Sequence, residues 1–161
     1  MALVVEDGTG LSNADSYVSV ATVDAYHLAM GNTTWTGADS VKEPAIRRAT
    51  QYLDANWRYK SERLLPTQAR EFPRVDSNGW LMPDWPIKAL VDACCELALK
   101  ALSGALTSDS TAESIKREKV GPIETEFFRN DGAQVRYTLV DKLLKDLTIS
   151  SGSSVRLERA S

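Results

Sequence analysis

One histidine, two adjacent cysteines and a scatter of carboxylates make up the reactive inventory of this 161-residue chain. His27 lies in Tyr26-His27-Leu28 beside an apolar stripe and reads as a satisfied structural residue. A Ser-His-Asp arrangement needs partners that the sequence does not locate. Cys94 and Cys95 are neighbours, and on a helix neighbours point about 100° apart, the wrong geometry for a bond between them. Two cysteines and one histidine fall short of a zinc ligand set, so both thiols read as small core residues. Gly8-Thr9-Gly10 lacks the strand-to-helix setting of a phosphate-cradling loop, and no H-E-x-x-H occurs. The expectation is a protein that is not an enzyme and uses no cofactor or metal.

The pattern with binding chemistry is basic and aromatic. Arg47-Arg48, Trp57-Arg58-Tyr59-Lys60 and Arg63 interleave cations with rings, as a surface that stacks bases and holds phosphates does. Arg47, Arg48, Arg58 and Lys60 are therefore the candidate nucleic-acid contacts. Lys116-Arg117-Glu118-Lys119 is a second, smaller cluster. Asp54 and Glu62 dilute the first. A net charge of −3 and a pI of about 5.2 provide no global basic footprint.

The elements that must position these groups are mostly helical. Ser19 is placed to cap a helix over Val20–Met30, with Val23, Tyr26 and Met30 on one stripe and Gly31 as its stop. Pro44 fits the first position of a second helix, along which Ile46, Ala49, Thr50, Leu53 and Trp57 keep helical spacing to about Tyr59. Arg47, Arg48, Asp54 and Arg58 occupy its other, solvated faces. Leu64–Asp84 is irregular, with Trp80, Leu81, Met82 and Trp85 expected to pin it to the core. Pro86–Leu102 is the clearest helix, ended by Gly104. Thr138 and Asp141 are expected to cap a short helix with Val140, Leu143, Leu144 and Leu147 inward.

Between the last two helices the period changes. Ile123, Thr125 and Phe127 alternate with Glu124 and Glu126, the pattern of a strand. Gly121-Pro122 is poor tight-hairpin chemistry, so an extended, kinked segment is expected, pairing with Gln134–Tyr137 across Asn130-Asp131-Gly132. After Ser150-Ser151-Gly152-Ser153-Ser154 comes Val155-Arg156-Leu157-Glu158-Arg159, again of strand period. A lone terminal strand cannot satisfy its own backbone groups. It frays, folds back or completes a sheet in another chain. The predicted fold is mainly α: a small helical bundle with an added β-hairpin or extended β segment at about 115–137, forming one domain over 1–149. A hinge and an extended C-terminal tail follow over 150–161. No apolar run approaches the roughly 20 residues of a membrane span, and Met1–Asp7 lacks the positive leader of a signal peptide. No membrane partner and a cytosolic compartment are expected.

Several blocks, in order, resemble a known family. Ser12-Asn13-Ala14-Asp15-Ser16-Tyr17-Val18-Ser19-Val20 with Asp24-Ala25-Tyr26-His27 opens the series. Ile46-Arg47-Arg48-Ala49-Thr50-Gln51-Tyr52-Leu53-Asp54 and Gln68-Ala69-Arg70-Glu71-Phe72-Pro73-Arg74 follow. Pro86–Leu102, Lys116–Glu124 and the terminal Ser-Val-Arg-Leu complete it. Together they resemble the head–tail connector, or adaptor, proteins of tailed bacteriophages, and the resemblance covers nearly the whole chain. It implies a ring of about twelve copies beneath the portal protein, bridging it to a tail or stopper protein, with DNA passing through the lumen without specific binding. It implies portal docking by Val155, Arg156, Leu157, Glu158 and Arg159. It also implies a subunit contact through the β segment Ile115, Lys116, Arg117, Lys119, Val120, Ile123, Thr125 and Phe127. The location would be the virion, and the host cytoplasm during assembly. Some relatives carry the label of DnaT-like single-stranded-DNA-binding proteins. The alternative is therefore a single-stranded-DNA-binding replication accessory protein using Arg47, Arg48, Arg58 and Lys60.

Overall fold

Ile87, Leu90, Cys94, Leu97, Ala98 and Ala101 recur at helical spacing and are all buried. In the computed structural model, which describes residues 2–76, 78–80, 84–107, 118–120, 123–125 and 137–149, they form the inward stripe of a central helix. The described residues hold α1 (Val20–Ala29), α2 (Asp39–Asn56), β1 (Glu62–Arg63), β2 (Arg74–Val75), α3 (Lys88–Ser103), β3 (Glu118–Val120), β4 (Ile123–Thr125) and α4 (Thr138–Leu144). The fold is mainly helical, as the periodicity predicts. α2 and α3 are the central pair, α1 packs on both, and α4 packs on α3. The hinge and tail over 150–161 lie outside the described residues.

α1 starts where expected, with the Ser19 Oγ accepting the Thr22 N–H at 3.1 Å. Its stripe is different from the predicted one. Val23 and His27 are buried, whereas Met30 points to solvent. The His27 Nε2–H donates to the Cys95 carbonyl at 3.0 Å, and the Asn32 amide donates to its Nδ1 at 3.0 Å. A backbone carbonyl can only accept, which fixes the neutral tautomer protonated on Nε2. His27 is thus a structural tie between α1 and α3, as read from the sequence. Cys94 and Cys95 are buried free thiols. Burial pushes the Cys94 thiol up to about 12 and raises that of Cys95 as well.

α2 begins five residues before Pro44, not at it. Proline removes a single N–H, which near a helix start leaves only the Ser40 carbonyl without its helical donor, on an exposed turn that water can satisfy. α2 also stops at Asn56, short of Tyr59. Residues beyond it extend and pair with the segment after α4: the Ile149 N–H donates to the Arg58 carbonyl at 2.8 Å and the Lys60 N–H to the Leu147 carbonyl at 2.9 Å.

Two buried polar clusters fix the loops. The Glu6 carboxylate accepts the N–H groups of Gly8, Gly10 and Leu11 at 3.0, 2.9 and 2.9 Å, so the Gly-Thr-Gly loop wraps a carboxylate of its own chain. The Tyr17 hydroxyl donates to Asp54 and accepts the N–H groups of Glu71 and Phe72 at 3.0 and 3.2 Å. Arg70 joins through its Nε to the Ala14 carbonyl at 2.8 Å and through Nη1 to Asp54 at 3.4 Å. Asp54, expected on a solvated face, is therefore an interior anchor. Burial raises its pKa, and the Tyr17 hydrogen bond and the Arg70 guanidinium offset this only in part.

The irregular segment pins less than expected. Trp85 packs on Tyr17 and against Gly8. Trp80 is 73% exposed, and Leu81 and Met82 lie outside the described residues. Asp76 holds Trp80 outward, its carboxylate taking the N–H groups of Asn78 and Trp80 at 2.8 and 2.9 Å.

Replacing Glu6 by Ala leaves three backbone donors without their charged acceptor and is expected to cost about 3 kcal/mol. Calorimetry should find a melting temperature lower by roughly 6–12 °C. The raised Asp54 pKa sets a second expectation. Between the ordinary carboxylate value and the raised one, the native state holds more protons than the unfolded state, so this stability falls as pH rises. Urea unfolding from about pH 4 to about pH 6.5 should find the gap between wild type and Asp54→Asn shrinking with rising pH. A gap that widens would reverse the sign.

Candidate functional site

The four cations singled out from the sequence do not form one patch. Arg47 is half-buried and committed, its guanidinium 3.4 Å from both Asp15 and Glu43. Arg48 is exposed on α2, with its Nε donating to the Pro44 carbonyl at 3.4 Å. Arg58 and Lys60 lie beyond the other end of the helix, on the extended segment paired with 147–149.

That pairing brings a second charged stretch beside Arg58 and Lys60 which sequence reasoning missed. The Lys60 Nζ donates to the Asp146 carbonyl at 2.9 Å, and the Trp57 Nε1–H donates to the Asp141 carboxylate at 3.0 Å. Both contacts hold the stretch 141–146 against the chain just after α2, and that stretch carries the exposed cations Lys142 and Lys145 together with the exposed carboxylates Asp141 and Asp146. Leu139 and Ile149, at either end of that stretch, are exposed apolar residues. No local signal foretells this, because the two segments lie more than eighty residues apart. The outward charges on α4 were the available hint.

Can this face stack bases? Trp57 is half-buried and packs edge-on against Tyr52, with ring centroids 5.7 Å apart, and its indole N–H is engaged. Tyr59 is buried against Phe72, with its hydroxyl on the Leu53 carbonyl. Both expected stacking rings are therefore spent on the core. The face supplies cations and apolar borders without an exposed ring.

The expected interface β segment is described only in its backbone. β3 and β4 are antiparallel, with Val120 opposite Ile123, Lys119 opposite Glu124 and Glu118 opposite Thr125. Only positions 121 and 122 separate the paired strands, which corrects the expectation that no tight hairpin forms there, whereas the expected pairing with Gln134–Tyr137 falls on residues that lie mostly outside the described ones. Two-residue connections normally demand glycine or asparagine at positive φ, so the sequence signal was misleading there. Ile115, Lys116, Arg117 and Phe127 lie outside the described residues, as do Gln134 to Arg136 and the tail Val155, Arg156, Leu157, Glu158 and Arg159. Among the described residues no helix is long and apolar enough to cross a membrane.

Residues 1–160 match the family described as "Putative DnaT-like ssDNA binding protein". The chain belongs to this family. No curated protein and no solved structure matches it. The match of this DnaT-like chain includes the helical core and the segments beyond it, so the family pattern runs through residues 150–160 as well as the bundle.

Proposed function

We propose that the chain is a head–tail connector subunit of a tailed phage that works by association with other proteins rather than by chemistry. The observation that carries the reading is the outer face of α1. Ala21, Ala25, Leu28 and Ala29 follow one another at helical spacing, and all are exposed, Leu28 to 83%. A surface helix ordinarily turns polar residues outward. An apolar outer stripe, with Met30 and Val41 exposed at the same end, suits a protein partner and has no use in phosphate binding. The order of blocks along the chain supports the same role. In it the tail Val155–Arg159 docks on the portal by adding a strand, and many tethered copies on a matching ring provide avidity.

The second reading is single-stranded-DNA binding. It is favoured by the family description and by the exposure of Arg58, Lys60, Lys142 and Lys145. Against it stand the commitment of Arg47, the burial of the ring faces and the net charge of −3.

Purified particles should contain on the order of twelve copies, quantified by mass spectrometry against the major capsid protein. Deleting Ser153–Ser161 should leave the fold intact and abolish attachment to portal-bearing heads. Absence from particles, or unimpaired attachment of the truncated chain, would sink the connector role or its tail assignment respectively. Fluorescence anisotropy with a labelled oligothymidylate tests the rival. The connector reading expects no saturable binding at about 0.15 M salt. Binding whose affinity falls steeply with salt, and more than tenfold on replacing Lys60, Lys142 and Lys145 by Gln, would establish the DNA reading instead.

A further inference from the structure

The last described stretch of the chain, 137–149, lies against rings that the sequence marks for stacking. Tyr137 stands edge-on to Tyr52 with ring centroids 5.6 Å apart, and Tyr52 in turn packs on Trp57. The Asp141 carboxylate accepts the Trp57 indole N–H at 3.0 Å, and the Asp146 carbonyl accepts from the Lys60 ammonium at 2.9 Å. The Ile149 N–H donates to the Arg58 carbonyl and the Lys60 N–H to the Leu147 carbonyl, which closes the stretch onto the chain after α2.

Cations flank the covered rings. Tyr59 is buried, so in the extended segment 58–60 its neighbours Arg58 and Lys60 both point outward, and both are exposed. Arg63 follows, exposed on β1, and exposed Arg48 lies one turn before Tyr52 on α2. Glu62 is the one exposed carboxylate within 48–63. The covering stretch adds no net charge, because Lys142 and Lys145 are matched by Asp141 and Asp146, all four exposed. What it withholds is the rings.

The stretch can part from the bundle without taking another described element with it. α4 has seven residues, too few for a helix to stand alone in water, and no side chain caps its N-terminus. Val140 and Leu144 are its buried side chains, and α3 is the helix it packs on. No described element follows it. We propose that 137–149 is a strap over a binding site for single-stranded DNA formed by Arg48, Tyr52, Trp57, Arg58, Lys60 and Arg63. With the strap lifted, the two rings stack bases and the four cations hold phosphates. The site goes beyond the connector role, under which a closed strap keeps DNA from being held, and it rests on the second reading for its ligand.

Hydrogen exchange of the full chain, read by mass spectrometry with and without oligothymidylate at low salt, tests both the cover and the site. In the free chain, 137–149 should exchange about tenfold faster than α2 and α3, because it opens by itself. Ile149→Pro deletes the N–H that reaches Arg58 and alters no charge. It should speed exchange in 137–149, leave α2 and α3 protected, and tighten oligothymidylate binding several-fold, because apparent affinity scales with the open fraction. Bound oligothymidylate should raise exchange in 137–149 and lower it over 57–63. Trp57→Leu also unties Asp141, yet should weaken binding about tenfold in the Ile149→Pro chain, because a stacking ring is lost. Tighter binding by that variant would overturn the site, and exchange of 137–149 in step with α3 would overturn the strap. Oligothymidylate that slows exchange in 137–149 would leave the DNA reading standing and overturn the cover. Binding by none of these chains would overturn the site together with the DNA reading, while the connector reading stands or falls on copy number in particles.

Discussion

Three stretches of chain meet at one phenolic oxygen. The Tyr17 hydroxyl stands at the junction of the segment before α1, the C-terminal half of α2 and the irregular loop at Glu71 and Phe72. A buried hydroxyl deprived of partners is costly, and this one is saturated by one carboxylate and two backbone donors. Once that loop is fixed, Arg74 returns across it, donating to the carbonyls of Lys60 and Ser61 at 2.8 and 2.6 Å. The chain just after α2 is thereby held extended, which lets residues 147–149 pair with it. The placing of Arg58 and Lys60 thus depends on a network that starts from a buried hydroxyl.

The distribution of polar contacts explains why the chain's cations are not interchangeable. Arg47, Arg70 and Arg74 are spent inside, on carboxylates and carbonyls that tie loops to helices. Arg58, Lys142 and Lys145 stay outside, and Lys60 keeps its exposed position while touching one carbonyl. Guanidinium groups with several fixed donors suit the first task, and flexible ammonium groups suit the second. A count of basic residues therefore overstates what is available to phosphate and understates how much holds the fold.

Much of the helical frame was legible. α3 announces itself through Pro86, an unbroken apolar stripe and Gly104, and α1 through Ser19 and Gly31. The start of α2 was not legible, because a proline in the second turn costs one exposed hydrogen bond and reads from sequence as a beginning. Met30 was misplaced because a stripe of small residues lets α1 rotate His27 inward without any local penalty. The candidate surface was the least legible part. Whether Arg47 is free depends on where Asp15 lies, thirty-two residues away, and whether Lys60 has basic neighbours depends on α4. Such facts belong to the packing of distant segments, and local spacing holds no record of them.

The interior thiols have a further consequence. With Cys94 and Cys95 sealed within α3 and no other cysteine in the chain, no thiol is offered to an oxidant while the bundle is closed. Thiolate is the reactive form, and burial suppresses it at both positions. A reducing cell interior and an oxidising exterior therefore leave the two thiols of the folded chain in the same state. The chain crosses that boundary with no disulfide to make or break.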